Sequence, residues 1–423
     1  MIGFIGLSHL GIVSGLATAA KGFEVIGFDP DAALCAGLND GRFPVAEPGL
    51  LELFQTNRTR LRFASDLAEL AKCEVVFYSL DVPTDDANRS NLEPLRKLIT
   101  LTAPHLAPTA VAVVLCQVPP GFTRSLAASG LRLWSALYYQ VETLVFGNAV
   151  ERALKPERFI VGCANPQKPL PAQYANWLQA FDCPILPMRY ESAELAKISI
   201  NLFLVSSVAT TNTLAEVCER IGADWSEIAP ALRLDKRIGP HAYLSPGLGL
   251  AGGNLERDLV TVQALAAEKG TDAGIVAAWQ RNSAHRRDWV LRKIHEQVLS
   301  RTDHAALAIW GLSYKADTHS IKNSSALALI EALAHVPKTA FDPQVKLDST
   351  KYSHLHLAAT PLKACHGADA LIVMTPWREF SAIAPAQIKS ALKGTVVIDP
   401  FGALNRAAIV ECGLSYHRLG VLS

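Results

Sequence analysis

The 423 residues carry 40 Lys and Arg against 39 Asp and Glu, a formal net charge of +1, and half of them are hydrophobic. That length exceeds one ordinary core, so two or three domains are expected. A balanced charge without a Lys/Arg-rich run excludes the usual footprints of nucleic-acid and membrane-surface binding, which leaves a small molecule as the expected partner. The cysteines (35, 73, 116, 163, 183, 218, 365 and 412) form no CxxC pair and no His/Cys cluster at metal spacing. No metal site is predicted, and the pattern suits free thiols in a reducing cytoplasm.

The N-terminus is apolar but has no charged leader region or cleavage site, and Gly3, Gly6, His9 and Gly11 interrupt it. Elsewhere no apolar run is expected to reach membrane-spanning length without a charge or a proline, so a soluble protein with no membrane partner is predicted. The chain opens with a short apolar strand, Ile2 to Ile5, then Gly6-Leu7-Ser8-His9-Leu10-Gly11, an apolar helix, and a second strand ending on Asp29. In the dinucleotide fingerprint, glycines permit a tight turn and close approach of pyrophosphate to a helix N-terminus, and an acid about twenty residues on binds the ribose hydroxyls. Gly6, Ser8, Gly11 and Asp29 are therefore cofactor-binding candidates. Ser8 replaces the middle glycine, and the charge of Asp29 favours NAD over NADP.

A turn-rich connection closes on Glu47-Pro48-Gly49. Two later strands end in proline-containing loops, 75 to 85 with Pro83 and Thr84, and 112 to 123 with Cys116 and Gln117. Ligands of doubly wound sheets sit at the carboxyl ends of the strands, so these loops are expected to face the nicotinamide half of the cofactor; as turns they are also ordinary surface chemistry. The segment 141 to 162 brings Glu142 to the same edge. Tyr190 to Asp224 has no Gly or Pro before Gly222 and is apolar on nearly every face, which predicts a long buried helix. Lys197 and Asn201 interrupt it one turn apart; either they meet a bound substrate or they reach solvent.

Beyond the spine lies a glycine-dense loop, Pro246 to Gly253, with Arg237, Asn254, Arg257 and Asp258 around it, and Asp258 is expected in the first turn of the following helix. From about Leu291 a second α/β pattern begins without a glycine fingerprint. Strands are expected near 305 to 309, in TAFDP, in ADALIVMTPWREF and in TVVIDPFG, and Lys315, Lys322 and the helix start at Asn323-Ser324-Ser325 are phosphate-binding candidates.

Taken together, GLSHLG with Asp29, NDGRFPVAEPGL, VPTD, QVPPG, the Lys197 and Asn201 pair, DKRIGPHAYLSPGLG, LSYKADTHSIKNS and VVID resemble the UDP-glucose/GDP-mannose dehydrogenase family over essentially the whole chain. The resemblance implies two Rossmann-like doubly wound α/β domains joined by a long central helix and a helical dimerisation domain. The boundaries expected are 1–189 for the NAD-binding domain, 190–290 for the central domain and 291–423 for the nucleotide-sugar domain. It also implies NAD, a nucleotide sugar (a UDP-sugar first), a homodimer formed through the central helix, and a role in surface polysaccharide or glycosylated natural-product synthesis. Catalytic roles are implied for Lys197, Asn201, Asp258 and Glu142, cofactor contacts for Pro83, Thr84 and Lys322, and substrate contacts for Arg237, Gly249 and Lys315.

The family pattern breaks at its nucleophile. Without gaps, Gly-Gly-Ser-Cys-Phe-x-Lys-Asp falls on Ala251 to Asp258, which puts Asn254 at the cysteine position, where an amide cannot form the thioester. Of the other cysteines only Cys116 stands near the cofactor edge. Gln117, Phe146, Lys322 and Pro400-Phe401 also replace a threonine, a glutamate, an arginine and a Gly-Arg pair. The leading expectation is one two-electron oxidation of an alcohol, C6 first. The alternatives are a four-electron 6-dehydrogenase using a water oriented by Asn254, and a catalytically silent paralogue that binds nucleotide sugar or NAD.

Overall fold

The structure, a computed structural model, describes residues 1–45, 47–85, 87–129, 135–251, 253–302, 304–348, 352 and 354–422. It divides into two compact units, Met1–Ile200 and Asn201–Ser423.

In the first unit the strands β1 (Ile2–Ile5), β2 (Val25–Phe28), β3 (Leu61–Ala64), β4 (Val75–Tyr78), β5 (Val111–Val114), β6 (Ala136–Gln140), β7 (Phe159–Cys163) and β8 (Ile185–Arg189) form one sheet in the order β3-β2-β1-β4-β5-β6-β7-β8. Pairing is parallel except between β6 and β7. The inner strands β1, β2, β4 and β5 are buried at every residue, as their unbroken apolar sequences require when helices cover both faces. Helix His9–Ala20 packs on one face through Leu10, Val13 and Leu16 beside Phe4 and Phe77, while Ile5, Val76 and Tyr78 face the other core. The strand order reverses between β1 and β4, both paired from Ile2 onward, and this switch point is where an open α/β sheet receives its ligand.

The second unit has a six-stranded parallel sheet, β11-β10-β9-β12-β13-β14, built from β9 (Leu307–Trp310), β10 (Lys338–Phe341), β11 (His356–Leu357), β12 (Ala370–Val373), β13 (Val396–Ile398) and β14 (Ser415–His417). The four strands expected from sequence are present, and the short edge strands β11 and β14 extend them.

The spine is one helix, Tyr190–Ile221, ended by Gly222 at φ +80°, a left-handed conformation glycine adopts without a Cβ penalty. Contrary to the sequence expectation, Ile198 to Ala215 runs for eighteen residues without charge or proline. By length and composition the helix could cross a bilayer, a test that core helices of soluble proteins also pass; 39% of its most apolar window is buried within the chain.

Candidate active site

The fingerprint loop is shaped for a pyrophosphate. Gly6 has φ +92°, and a Cβ on Gly11 would lie 2.2 Å from the Gly6 carbonyl oxygen and 2.6 Å from Ser79 Oγ, so only glycine lets loop and helix approach this closely. Ser8 sits at the N-cap of helix His9–Ala20 without capping it. Its hydroxyl donates to the Ser79 carbonyl at 3.0 Å and accepts from the Asp81 N–H at 2.9 Å. The helix therefore begins without a side-chain cap, and its first N–H groups suit an anion. Asp29, at the end of β2, accepts from the Leu7 N–H through Oδ2 and from the Asp31 N–H through Oδ1, both at 3.0 Å. One carboxylate thus ties the glycine loop to the ribose-binding position, and these residues fit a dinucleotide.

At the ends of β4 and β5, the Pro83 carbonyl accepts from Asn91 N–H at 2.8 Å, and Thr84 pairs with Ser90 in an isolated bridge. Cys116 is fully buried, its thiol donating to the Tyr78 carbonyl at 3.0 Å. Burial pushes that thiol far above its ordinary value, so it is not a nucleophile. Glu142 accepts from the Leu144 N–H and lines a cavity of about 50 Å³ with Gln140 and Arg152. Nearby is a pair that sequence reading passed over. Buried Glu47 meets His9 Nε2 at 2.8 Å and accepts from the Gly147 and Ala149 N–H groups, while His9 stacks on Phe146 at 4.1 Å. The sequence marked Glu47 only as the close of a turn-rich connection and His9 only as a residue inside the fingerprint.

Lys197 is half-buried on the spine and makes no hydrogen bond or ion pair among the described residues. One turn on, Asn201 is buried and donates through Nδ2 to Asp258 Oδ2 at 2.6 Å. Asp258 is the fifth residue of helix Asn254–Lys269, one position later than expected. Its other oxygen lies 3.7 Å from Arg257 Nε, and Arg257 Nη2 donates to Asn254 Oδ1 at 3.1 Å. The structure thus joins Asn201, Asp258 and Asn254, with Arg257 as the link.

The loop before this helix is fixed from two sides. Asn212 on the spine accepts from Gly247 N–H at 2.8 Å, and Ser283 Oγ accepts from Leu250 N–H at 2.7 Å. Gly249 has φ +78°, with no room for a Cβ against the Ser283 carbonyl. Gly252 lies outside the described residues. Lys322 packs beside Gly253, which brings it to the start of the same helix. Lys315 is half-buried, its ammonium 5.8 Å from the Tyr314 ring. Asn323 and Ser324 lead into helix Ser325–Ala332, which Ser324 caps through the Ala326 N–H. Arg237 stands apart from this cluster: it is exposed and paired with Asp235. Pro400 and Phe401 line a cavity of about 420 Å³ with Arg233, Arg418, Ser245 and Trp225.

Three models of one family match the chain in order: its NAD-binding domain at residues 1–178, its central domain at 191–284 and its UDP-binding domain at 308–406. The chain belongs to the UDP-glucose/GDP-mannose dehydrogenase family. The UDP-glucose 6-dehydrogenase of Pseudomonas aeruginosa is 28% identical over 98% of this chain and 96% of its own, and that of Rickettsia bellii is 29% identical over 99% of each. A UDP-glucose dehydrogenase structure from Pyrobaculum islandicum superposes with a TM-score of 0.87 at 22% identity, covering 100% of this chain and 98% of its own.

This UDP-glucose/GDP-mannose dehydrogenase family member is an NAD-dependent nucleotide-sugar dehydrogenase. Its fingerprint loop keeps the geometry a cofactor needs.

Proposed function

We propose that this dehydrogenase oxidises one alcohol of a UDP-sugar, C6 first, and stops after a single two-electron step. The observation that carries this reading is Asn254 at the start of helix Asn254–Lys269, bound to Arg257, with Cys116, the thiol expected near the cofactor edge, sealed in the core. Bound NAD supplies the hydride acceptor. Oxidation of CH–OH to C=O also releases the hydroxyl proton, and Lys197 and Asp258 are the groups assigned to charge and proton at the substrate oxygen. Asn201 holds Asp258 in place. Glu142 is assigned to the sugar side, Gly249 and Lys315 to the diphosphate, and Lys322 to the cofactor. The cavity at Phe401 and Arg418 has the aromatic wall and the cation that a nucleotide needs.

The same reading assigns 1–189, 190–290 and 291–423 as functional domains, supported by the order of the three matched models. It places the protein in the cytoplasm, as its eight free cysteines suit, and makes it a homodimer working in surface polysaccharide or glycosylated natural-product synthesis. The test is NADH formed per sugar consumed across a panel of UDP- and GDP-sugars. One per sugar is expected. Two would establish the four-electron reaction, and none with binding retained would establish a silent paralogue.

A further inference from the structure

Every nitrogen of a guanidinium carries hydrogen, so arginine only donates. The Asn254 atom that meets Arg257 Nη2 at 3.1 Å is therefore the carbonyl oxygen, and the amide nitrogen faces away with both hydrogens. Among the described residues the Asn254 side chain makes no other hydrogen bond, and it is exposed. Arg257 is not free to follow it, being 5% exposed and held at 3.7 Å from Asp258. An ionised Asp258 only accepts, so Asn201 must turn its nitrogen inward and its carbonyl outward. One buried Arg-Asp pair sets two carboxamides in opposite senses.

We infer that Asn254 is a hydrogen-bond donor to the oxygen on the oxidised carbon, and that Arg257 is the positioning residue that makes it one. The inference rests on the reading above and on the resemblance that sets Asn254 at the position of the family's nucleophile. A carboxamide N–H cannot add to a carbonyl, but it stabilises the oxygen as negative charge passes through it. The carbonyl product is held and not captured, as an enzyme that stops after one hydride requires. Arg257 acts through Asn254, because its Nη2 donates to the carboxamide oxygen and so fixes which way the amide nitrogen points.

Calorimetric titration of the full chain with UDP and with UDP-glucuronate, NADH present in both, tests this without turnover, since the C6 carboxylate offers acceptors where the donor would point. Asn254→Asp replaces the donor by a like-charged acceptor and is expected to weaken UDP-glucuronate binding about tenfold or more while UDP binding changes less than about twofold. Arg257→Met is expected to lose about as much as Asn254→Ala, and Arg257→Lys to recover part of it. The Asn254→Ala/Arg257→Met pair should be no worse than Asn254→Ala alone, because one residue works through the other. Unchanged UDP-glucuronate affinity in Asn254→Asp, or additive losses in the double variant, overturns the inference. Failure of the unmodified protein to bind UDP at all sinks the nucleotide-sugar reading and takes this inference with it.

Discussion

Ser8 occupies the middle-glycine position of the fingerprint, and its side chain does structural work that glycine could not. The hydroxyl bridges the Ser79 carbonyl and the Asp81 N–H, locking the glycine loop to the end of β4 and leaving the helix start to an anion. Asp29 binds the same loop from the β2 side. If its negative charge rejects a 2′-phosphate, as the fingerprint implies, Asp29→Ser should narrow the preference for NADH over NADPH by about tenfold, roughly 1.4 kcal/mol. Fluorescence titration of both cofactors checks this; an unchanged ratio would place the discrimination elsewhere. These residues were legible in the sequence because the fingerprint is local. Glu47 was not, since the three groups it binds come from residues 9, 147 and 149, and only the folded chain brings them together.

At the scale of elements, helix Tyr190–Ile221 is the frame. Its last turns carry Glu216 and Glu219, which close on Arg286, a guanidinium with no exposed surface. Glu219 also accepts from Trp289 Nε1 at 2.8 Å and Gly420 N–H at 3.0 Å, so one carboxylate ties the spine to helices Gly274–Arg287 and Trp289–Ile294 and to the C-terminal segment. Removing it leaves Arg286 buried with half its counter-charge. Glu219→Ala is expected to cost about 3 kcal/mol in urea unfolding; a loss under about 1 kcal/mol would show the cluster to be marginal. Glu216 adds a pH dependence. Burial pushes its carboxyl up, but the His285 hydrogen bond and the Arg286 charge outweigh that and hold it below its ordinary value. A carboxylate depressed in the fold contributes stability that is complete above its unfolded pKa of about 4.3 and disappears as pH falls through the folded value. Glu216→Gln should therefore lose stability at pH 7 yet lose less than the parent between pH 5 and 3, as unfolding midpoints at several pH values would reveal.

Over the whole molecule, the spine leaves one apolar stripe uncovered. Phe203, Leu214, Val217 and Ile221 share a helical face and are all exposed, Phe203 by 77%, and Leu234 stands out from the next helix at 85%. Lys197 and Asn201 fall on a different side of the same helix, by the 100° step per residue. Four large side chains in a row exceed what isolated surface hydrophobics explain, and the proposed homodimer would cover them. Sedimentation equilibrium of Phe203→Glu combined with Leu214→Glu should give monomers where the parent gives dimers, with thermal unfolding showing each unit still folded. Persistent dimers would move the interface off this face.

The sequence by itself determined the alternating strands and helices, the glycine fingerprint with its acid, the long spine and the order of family motifs, because each depends on residues a few positions apart or on a run of one polarity. It also carried the resemblance that sets Asn254 at the family's nucleophile position, a matter of register alone. Only the tertiary structure decided that Cys116 is sealed, that Arg237 stands apart, and that Asn212 and Ser283 clamp the glycine-dense loop. The same holds for the opposed carboxamides. Asn201 and Asp258 are separated by 57 residues, and which atom of an amide faces its neighbour is set by whether that neighbour can only give hydrogen or only receive it, a fact that packing supplies and local sequence does not.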